Sequence, residues 1–186
     1  MGSKPKYGCL MLTDQIYDWN EQASFIDQND IIDHPHKAEK VPGIEDECHV
    51  TILYGFHQEN DVDYIKQVID EFTKKSIQIE LTDISCFSNE EYDVIKYDVS
   101  SDILHQMNAA LKYYCPFTSN FPEYHPHMTI AYVKKGEGEK YCKTFDEPIK
   151  MTLGTLKYSD PNKVKTSWEI GEKFGRLPTF EEFLNS

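Results

Sequence analysis

His49-Val50-Thr51-Ile52-Leu53-Tyr54 returns 78 residues later as His127-Met128-Thr129-Ile130-Ala131-Tyr132. Side chains of an extended strand alternate between two faces. Each segment therefore sets its histidine and threonine on one face, with Val50 and Ile52, or Met128 and Ile130, on the other. The apolar face anchors the strand in a core, and the polar face has to line a cleft. Composition alone gives roughly 0.4 His-x-Thr triplets in a chain with seven histidines. Two triplets that also share the next Ile and a Tyr two places beyond it are not a product of chance. Similar strand and helix signals surround both copies, which implies two halves related by an approximate internal symmetry.

Outward from the repeats, residues 7–13 read as a short buried strand. Residues 15–28 read as a helix with Ile16, Trp19, Ala23 and Ile26 along one side. Residues 30–48 carry two prolines, a glycine and several histidines and lysines, and read as a long loop, functional or mobile. After the first repeat strand, an apolar stripe of Val62, Ile65, Val68, Ile69 and Phe72 predicts a helix over 61–74 capped by Asp61. Alternation over 77–87 and 92–99 around a polar turn predicts a hairpin. A third helix is predicted over 101–114, capped by Ser100 or Ser101. The loop 115–126 leads into the second repeat, and strands are predicted over 151–158 and 164–170 before an irregular tail, 171–186. Polar and apolar residues alternate along several strands, which predicts an α+β fold with a mostly antiparallel sheet and helices on an outer face. A doubly wound parallel sheet requires more uniformly apolar strands.

Histidine titrates near neutrality, so two of them facing one phosphate can act as proton acceptor on one side and proton donor on the other. Threonine hydroxyls on the same face can donate hydrogen bonds to the non-bridging oxygens, where charge builds in the transition state. That scheme names His49 and His127 as catalytic and Thr51 and Thr129 as phosphate-binding, with no metal or other cofactor. Tyr7, Phe117, Phe121, Tyr124 and His125 are candidates for contact with a base or a phosphate. Tyr54 and Tyr132, five places after their histidines, fall on the opposite face of a regular strand and are expected to pack. Asp33-His34-Pro35-His36 invites a metal reading, but two histidines about a proline have awkward geometry, and no matching cysteine or carboxylate spacing supports zinc. With Lys37 and Lys40 the same loop can instead form a positive lid.

The chain of 186 residues has 32 acidic against 19 basic side chains, a formal charge of −13. That balance argues against a protein that coats extended duplex DNA through many phosphate contacts, but leaves a small anionic ligand allowed in a locally positive pocket. No apolar run is long enough to cross a bilayer and no signal-peptide core is present, so a cytoplasmic protein with no membrane partner is expected. Five scattered cysteines read as reduced thiols.

The paired His-x-Thr strands resemble the signature of the 2H phosphoesterase superfamily, which includes LigT-type RNA 2′,3′-cyclic phosphodiesterases, 2′-5′ RNA ligase-like proteins and viral 2′,5′-phosphodiesterases. The resemblance implies a two-lobed fold, one bilobal domain over 1–186, with antiparallel sheets around a central cleft and helices on the outer faces. It implies that His49 and His127 share acid/base duty without a metal and that Thr51 and Thr129 bind the phosphate. It also implies a small nucleotide, cyclic oligonucleotide or short RNA as substrate, and a monomer is expected. Tyr7-Gly8-Cys9-Leu10-Met11 and the long loop before His49 are similar to phage-encoded members, some of which destroy cyclic nucleotide messengers of bacterial immunity; such a protein acts in the host cytoplasm and serves evasion of antiviral defence. A sequestering protein that binds a nucleotide in the same cleft without turnover is the alternative from another class. RNA end joining is disfavoured by the lack of a broad basic surface.

Overall fold

The computed structural model describes residues 6–15 and 18–171. Among them the strands form two four-stranded antiparallel sheets. The first contains β1 (Gly8–Thr13), β2 (His49–Phe56), β7 (Thr155–Ser159) and β8 (Lys165–Glu169), in the order β2-β1-β7-β8. The second contains β3 (Ile77–Ser88), β4 (Tyr92–Ser100), β5 (His127–Lys134) and β6 (Lys143–Leu153), in the order β5-β4-β3-β6. Each repeat is thus an edge strand, one per lobe, and β2 and β5 touch across the cleft between the sheets. This is the two-lobed arrangement expected from the paired motifs, with helices on the outer faces.

Local chemistry accounts for the helices. Helix α1 (Val62–Ile69) starts where the Asp61 side chain accepts a hydrogen bond from the Asp63 amide at 2.7 Å, and it buries Ile65 and Ile69. Helix α2 (Asp102–Tyr114) is capped by Ser101, whose hydroxyl accepts from the Leu104 amide at 3.4 Å. Leu104, Met107 and Leu111, at helical spacing, put one face of α2 in the core, against α1 and β2.

Two expectations are corrected. The described residues within 15–28 form no α-helix: Asp18 takes a left-handed conformation (φ 70°), and only a 3-10 turn, Trp19–Ala23, follows. Trp19, Ala23 and Ile26 are nonetheless buried, while Ile16 lies outside the described residues. The strand expected over 151–158 is two strands in different sheets. Leu153 ends β6, Gly154 makes the crossing, and Thr155 begins β7 beside β1. Strand β6 also starts earlier, at Lys143, and carries Pro148 where its ladder with β3 is interrupted, which an edge strand tolerates. The loop over 30–48 is a strap along the free edge of β5, bridging Ile31 to Val133 and Ile44 to Ala131. The predicted tail lies outside the described residues apart from Gly171.

No helix among the described residues is long and apolar enough to cross a membrane.

Candidate active site

Both repeats carry the same irregularity. Opposite β1, Thr51 pairs with Met11 and Leu53 with Leu10, leaving Ile52 as an extra residue. Opposite β4, Thr129 pairs with Lys96 and Ala131 with Ile95, leaving Ile130 extra. A bulge of this kind bends a strand and shifts its alternation by one. Ile52 and Ile130 are buried, each worth about 1.5–3 kcal/mol of burial, which holds the bulges in place. The shift overturns the expectation for Tyr54: it is exposed and lines the cleft with Thr51. Tyr132 is buried instead against the strap, its ring on His34 at 4.8 Å and its hydroxyl donating to Glu45 at 2.9 Å.

β2 and β5 are edge strands, and around each bulge two carbonyls are bonded by groups outside the sheet. In the first repeat the Tyr124 hydroxyl donates to the Thr51 carbonyl at 2.9 Å and the Asn108 amide to that of Ile52 at 2.8 Å. In the second, the Trp19 indole donates to the Thr129 carbonyl at 3.3 Å and the Glu45 amide to that of Ile130 at 3.0 Å. Asn108 is buried, so Asn108→Leu leaves the Ile52 carbonyl without its donor and is expected to cost about 1–3 kcal/mol. Chemical denaturation of the two proteins checks this.

The histidines are oriented alike. Nδ1 of His49 lies 3.2 Å from the Glu47 carbonyl and Nδ1 of His127 lies 2.9 Å from the His125 carbonyl, in each case two residues back. A carbonyl only accepts, so Nδ1 carries the proton and Nε2 is the free nitrogen of each neutral ring. Burial lowers the pKa of His49, opposed by the charges of Glu45 and Asp46. Burial also lowers that of His127; the bond to the His125 carbonyl raises it, Lys96 and His49 lower it, and Asp98 raises it. The neighbourhoods differ: His49 has the carboxylates of Glu45 and Asp46, and His127 has the Lys96 ammonium and the Asp98 carboxylate acting in opposite directions.

The cleft holds a cavity of about 640 Å³. Of the residues named from sequence, Thr51, Phe121, Tyr124, His125 and His127 line it. His49 and Thr129 are not among the lining residues; Thr129 pairs with Lys96, which is, and His49 is close enough for its charge to act on His127. Tyr124 is half-buried on the Thr51 carbonyl, and burial pushes its hydroxyl pKa well above the usual tyrosine range. His125 is exposed and paired with Glu123 at 3.2 Å. Tyr7 meets Tyr54 edge to face, ring centroids 6.2 Å apart, and stacks on His57 at 5.9 Å. Phe117 does not line the cavity; it bridges to Phe56 and packs against the core.

The lid reading is likewise corrected. Lys37 pairs with Asp46 at 2.9 Å, and neither Lys37 nor Lys40 lines the cavity. His34 is buried 3.3 Å from Glu45. Among the described residues no three His, Cys, Asp or Glu side chains gather as a metal-holding group.

Sequence reading missed Lys96. It faces Thr129 across the β4–β5 ladder, lines the cavity, and its ammonium donates to Ser85 at 2.7 Å and to Asp98. It also missed Phe87, whose ring meets His127 at 6.1 Å, and Asn108. The signal for Lys96 was present as Lys96-x-Asp98 in an alternating strand, but only the pairing of β4 with β5 gives it a meaning.

Residues 42–159, more than half of the chain and both His-x-Thr strands, match the 2′-5′ RNA ligase superfamily. The chain belongs to the 2′-5′ RNA ligase superfamily. Membership in that superfamily supports phosphoesterase-type chemistry on nucleotides. Solved structures with the same fold include Kluyveromyces marxianus Usb1 with uridine monophosphate, at a TM-score of 0.57 and 11% identity over 89% of this chain and 98% of that one. TT0787 of Thermus thermophilus is similar at 0.56 and 10% identity, covering 90% and 99%. E. coli LigT complexed with 3′-AMP is similar at 0.52 and 15% identity, covering 89% and 95%. At these identities the likeness shows the fold of this superfamily member. No curated protein sequence matches the chain.

Proposed function

We propose that this protein is a phosphodiesterase that cleaves a nucleotide phosphodiester by two-histidine acid/base catalysis, with His127 as base and His49 as acid. The observation that carries the reading is the matched pair of rings, each with Nδ1–H held by a carbonyl two residues back and Nε2 left free. One ring accepts a proton from water or a ribose hydroxyl through Nε2, and the other, protonated, gives its proton to the leaving oxygen. Thr51 and Thr129 donate hydrogen bonds to the non-bridging oxygens.

Neighbouring charge supports the division of roles. Glu45 and Asp46 favour the charged form of His49, whereas Lys96 disfavours that of His127 against the opposing pull of Asp98 and the His125 carbonyl. A bell-shaped kcat/KM profile is expected, with its maximum on the acid side of the ordinary histidine pKa of about 6.5. Glu45→Gln removes a charge that favours imidazolium, so the alkaline limb moves to lower pH. Lys96→Met removes a charge that opposes imidazolium on His127 and frees Asp98, so the acid limb moves to higher pH. Rate profiles of the three proteins check both shifts; an acid limb that moves in Glu45→Gln, or an alkaline limb that moves in Lys96→Met, reverses the roles.

Substrates consistent with the reading are 2′,3′-cyclic phosphates, 2′-5′ and 3′-5′ oligonucleotides, and cyclic oligonucleotides, the last being a class on which some phage-encoded 2H proteins act. The scheme uses no metal ion. The test is incubation with a panel of all of these in EDTA, with identification of products. Turnover is expected; stoichiometric binding with full recovery of intact ligand replaces the reading with sequestration.

A further inference from the structure

The cavity contains a second cation that two-histidine chemistry does not use. Asn108 and Lys112 stand one turn apart on one face of α2, and both line the cavity that Thr51, Lys96 and His127 also line. Lys112 is half-buried. Among the described residues its ammonium has neither a carboxylate within ion-pair distance nor a hydrogen-bond acceptor. Several other lysines of this acidic chain do find carboxylates: Lys37 with Asp46, Lys96 with Asp98, Lys157 with Glu47. Glu123, a carboxylate in the same lining, is taken by His125. The last turn of a helix favours a cation, which accounts for a lysine at this point of the sequence but not for its place in the cavity wall. An ammonium without a carboxylate partner at the wall of a cavity is a ready partner for an anion.

The rest of the wall says what such an anion is attached to. Tyr54, Phe87 and Phe121 all line the cavity and are 49%, 44% and 73% exposed. Three exposed aromatic rings around one cavity are a surface on which bases stack. We propose that Lys112 is a subsite for a second phosphate of a nucleotide whose first phosphate lies at His49, His127, Thr51 and Thr129, a placement that rests on the two-histidine reading. The nucleoside between the two phosphates lies on the aromatic wall. Substrates with phosphate on both sides of one nucleoside are then preferred over those with a single phosphate.

Isothermal titration of the intact protein with adenosine 3′-monophosphate and adenosine 3′,5′-bisphosphate tests the subsite. Neither ligand contains a phosphodiester, so binding is measured without turnover. The bisphosphate is expected to bind about tenfold or more tightly than the monophosphate, equivalent to about 1.4 kcal/mol. Lys112→Met is expected to bring the bisphosphate down to the monophosphate affinity. Its monophosphate affinity stays unchanged, which also reports an intact fold, and Lys112→Arg retains the preference. Equal affinities in the native protein, no binding of either nucleotide, or a preference that survives Lys112→Met overturns the proposal. If the preference is found but no phosphodiester in the panel is cut, the subsite stands and the catalytic reading falls. Cleavage of diesters without any preference has the opposite meaning.

Discussion

His127→Ala is expected to lower kcat on a cleaved phosphodiester by about 10²–10⁴-fold, and His49→Ala by a similar factor. The two effects will not multiply, because each ring works only when the other completes the proton transfer; the double variant is expected to lose little more than either single one. Both side chains are half-buried at the ends of edge strands, with one ring bond each to a carbonyl, so the fold survives their removal. Stability against pH gives an independent reading of the same groups. Burial places both folded pKa values below the unfolded value of about 6.5. Between the folded and unfolded values the unfolded chain binds more protons, so stability is complete above about pH 6.5 and declines as the pH falls toward the folded values. The alanine variants are expected to lose less stability than the native protein on acidification from neutrality. Thermal melts at neutral and acid pH, beside single-turnover rates, test the assignment. Native rates in the double variant, with the fold intact, would falsify it.

The repeated strands were legible because parity and charge are written in the sequence: a half-buried strand has to alternate, and a His-x-Thr face cannot be core. The helices were legible for the same reason, since Ile65 and Ile69, or Leu104, Met107 and Leu111, recur at helical spacing behind a capping side chain. What local pattern does not carry is the partner of each strand. The bulges at Ile52 and Ile130 exist only relative to β1 and β4, so the turn of Tyr54 into the cavity could not be read from a regular strand. Lys96 gains its place by facing Thr129 across a ladder, and Lys112 by where α2 docks. The expected helix over 15–28 failed for a different reason. Its apolar spacing reports burial of Trp19, Ala23 and Ile26 correctly, but a left-handed Asp18 and a single 3-10 turn deliver the same buried face.

Gly55→Ala is expected to be the most damaging single change to the fold. Beyond the bulge at Ile52, Gly8 pairs with Phe56 and Cys9 with Tyr54, so Gly55 is a second extra residue of β2. Its φ is +114°, a conformation that glycine adopts freely and alanine does not. A Cβ at this position lies 2.0 Å from the Thr118 carbonyl oxygen, a backbone atom that no rotamer change can move aside. The close approach has a purpose. The Thr118 amide donates to the Gly55 carbonyl at 2.9 Å, the His57 amide to that of Pro116 at 3.2 Å, and the Asn60 side chain to the Pro116 carbonyl at 2.7 Å. These bonds dock the segment that carries Ser119, Phe121, Glu123, Tyr124 and His125 onto the strand that carries His49 and Thr51, so one glycine sets the distance between the catalytic strand and the cavity wall. Strain and overlap together are expected to cost about 4 kcal/mol or more, the range reserved for backbone effects of this kind. For a chain of this length that corresponds to a fall on the order of 10 °C in Tm, or to loss of the folded protein. Calorimetry measures the first. Where Gly55→Ala still folds, the segment from Thr118 is displaced from β2, and nucleotide affinity is expected to fall before the histidine pKa values move; NMR titration of His49 and His127 beside a binding isotherm separates the two. A Tm within a degree or two of the native protein contradicts the close approach of Thr118 to Gly55.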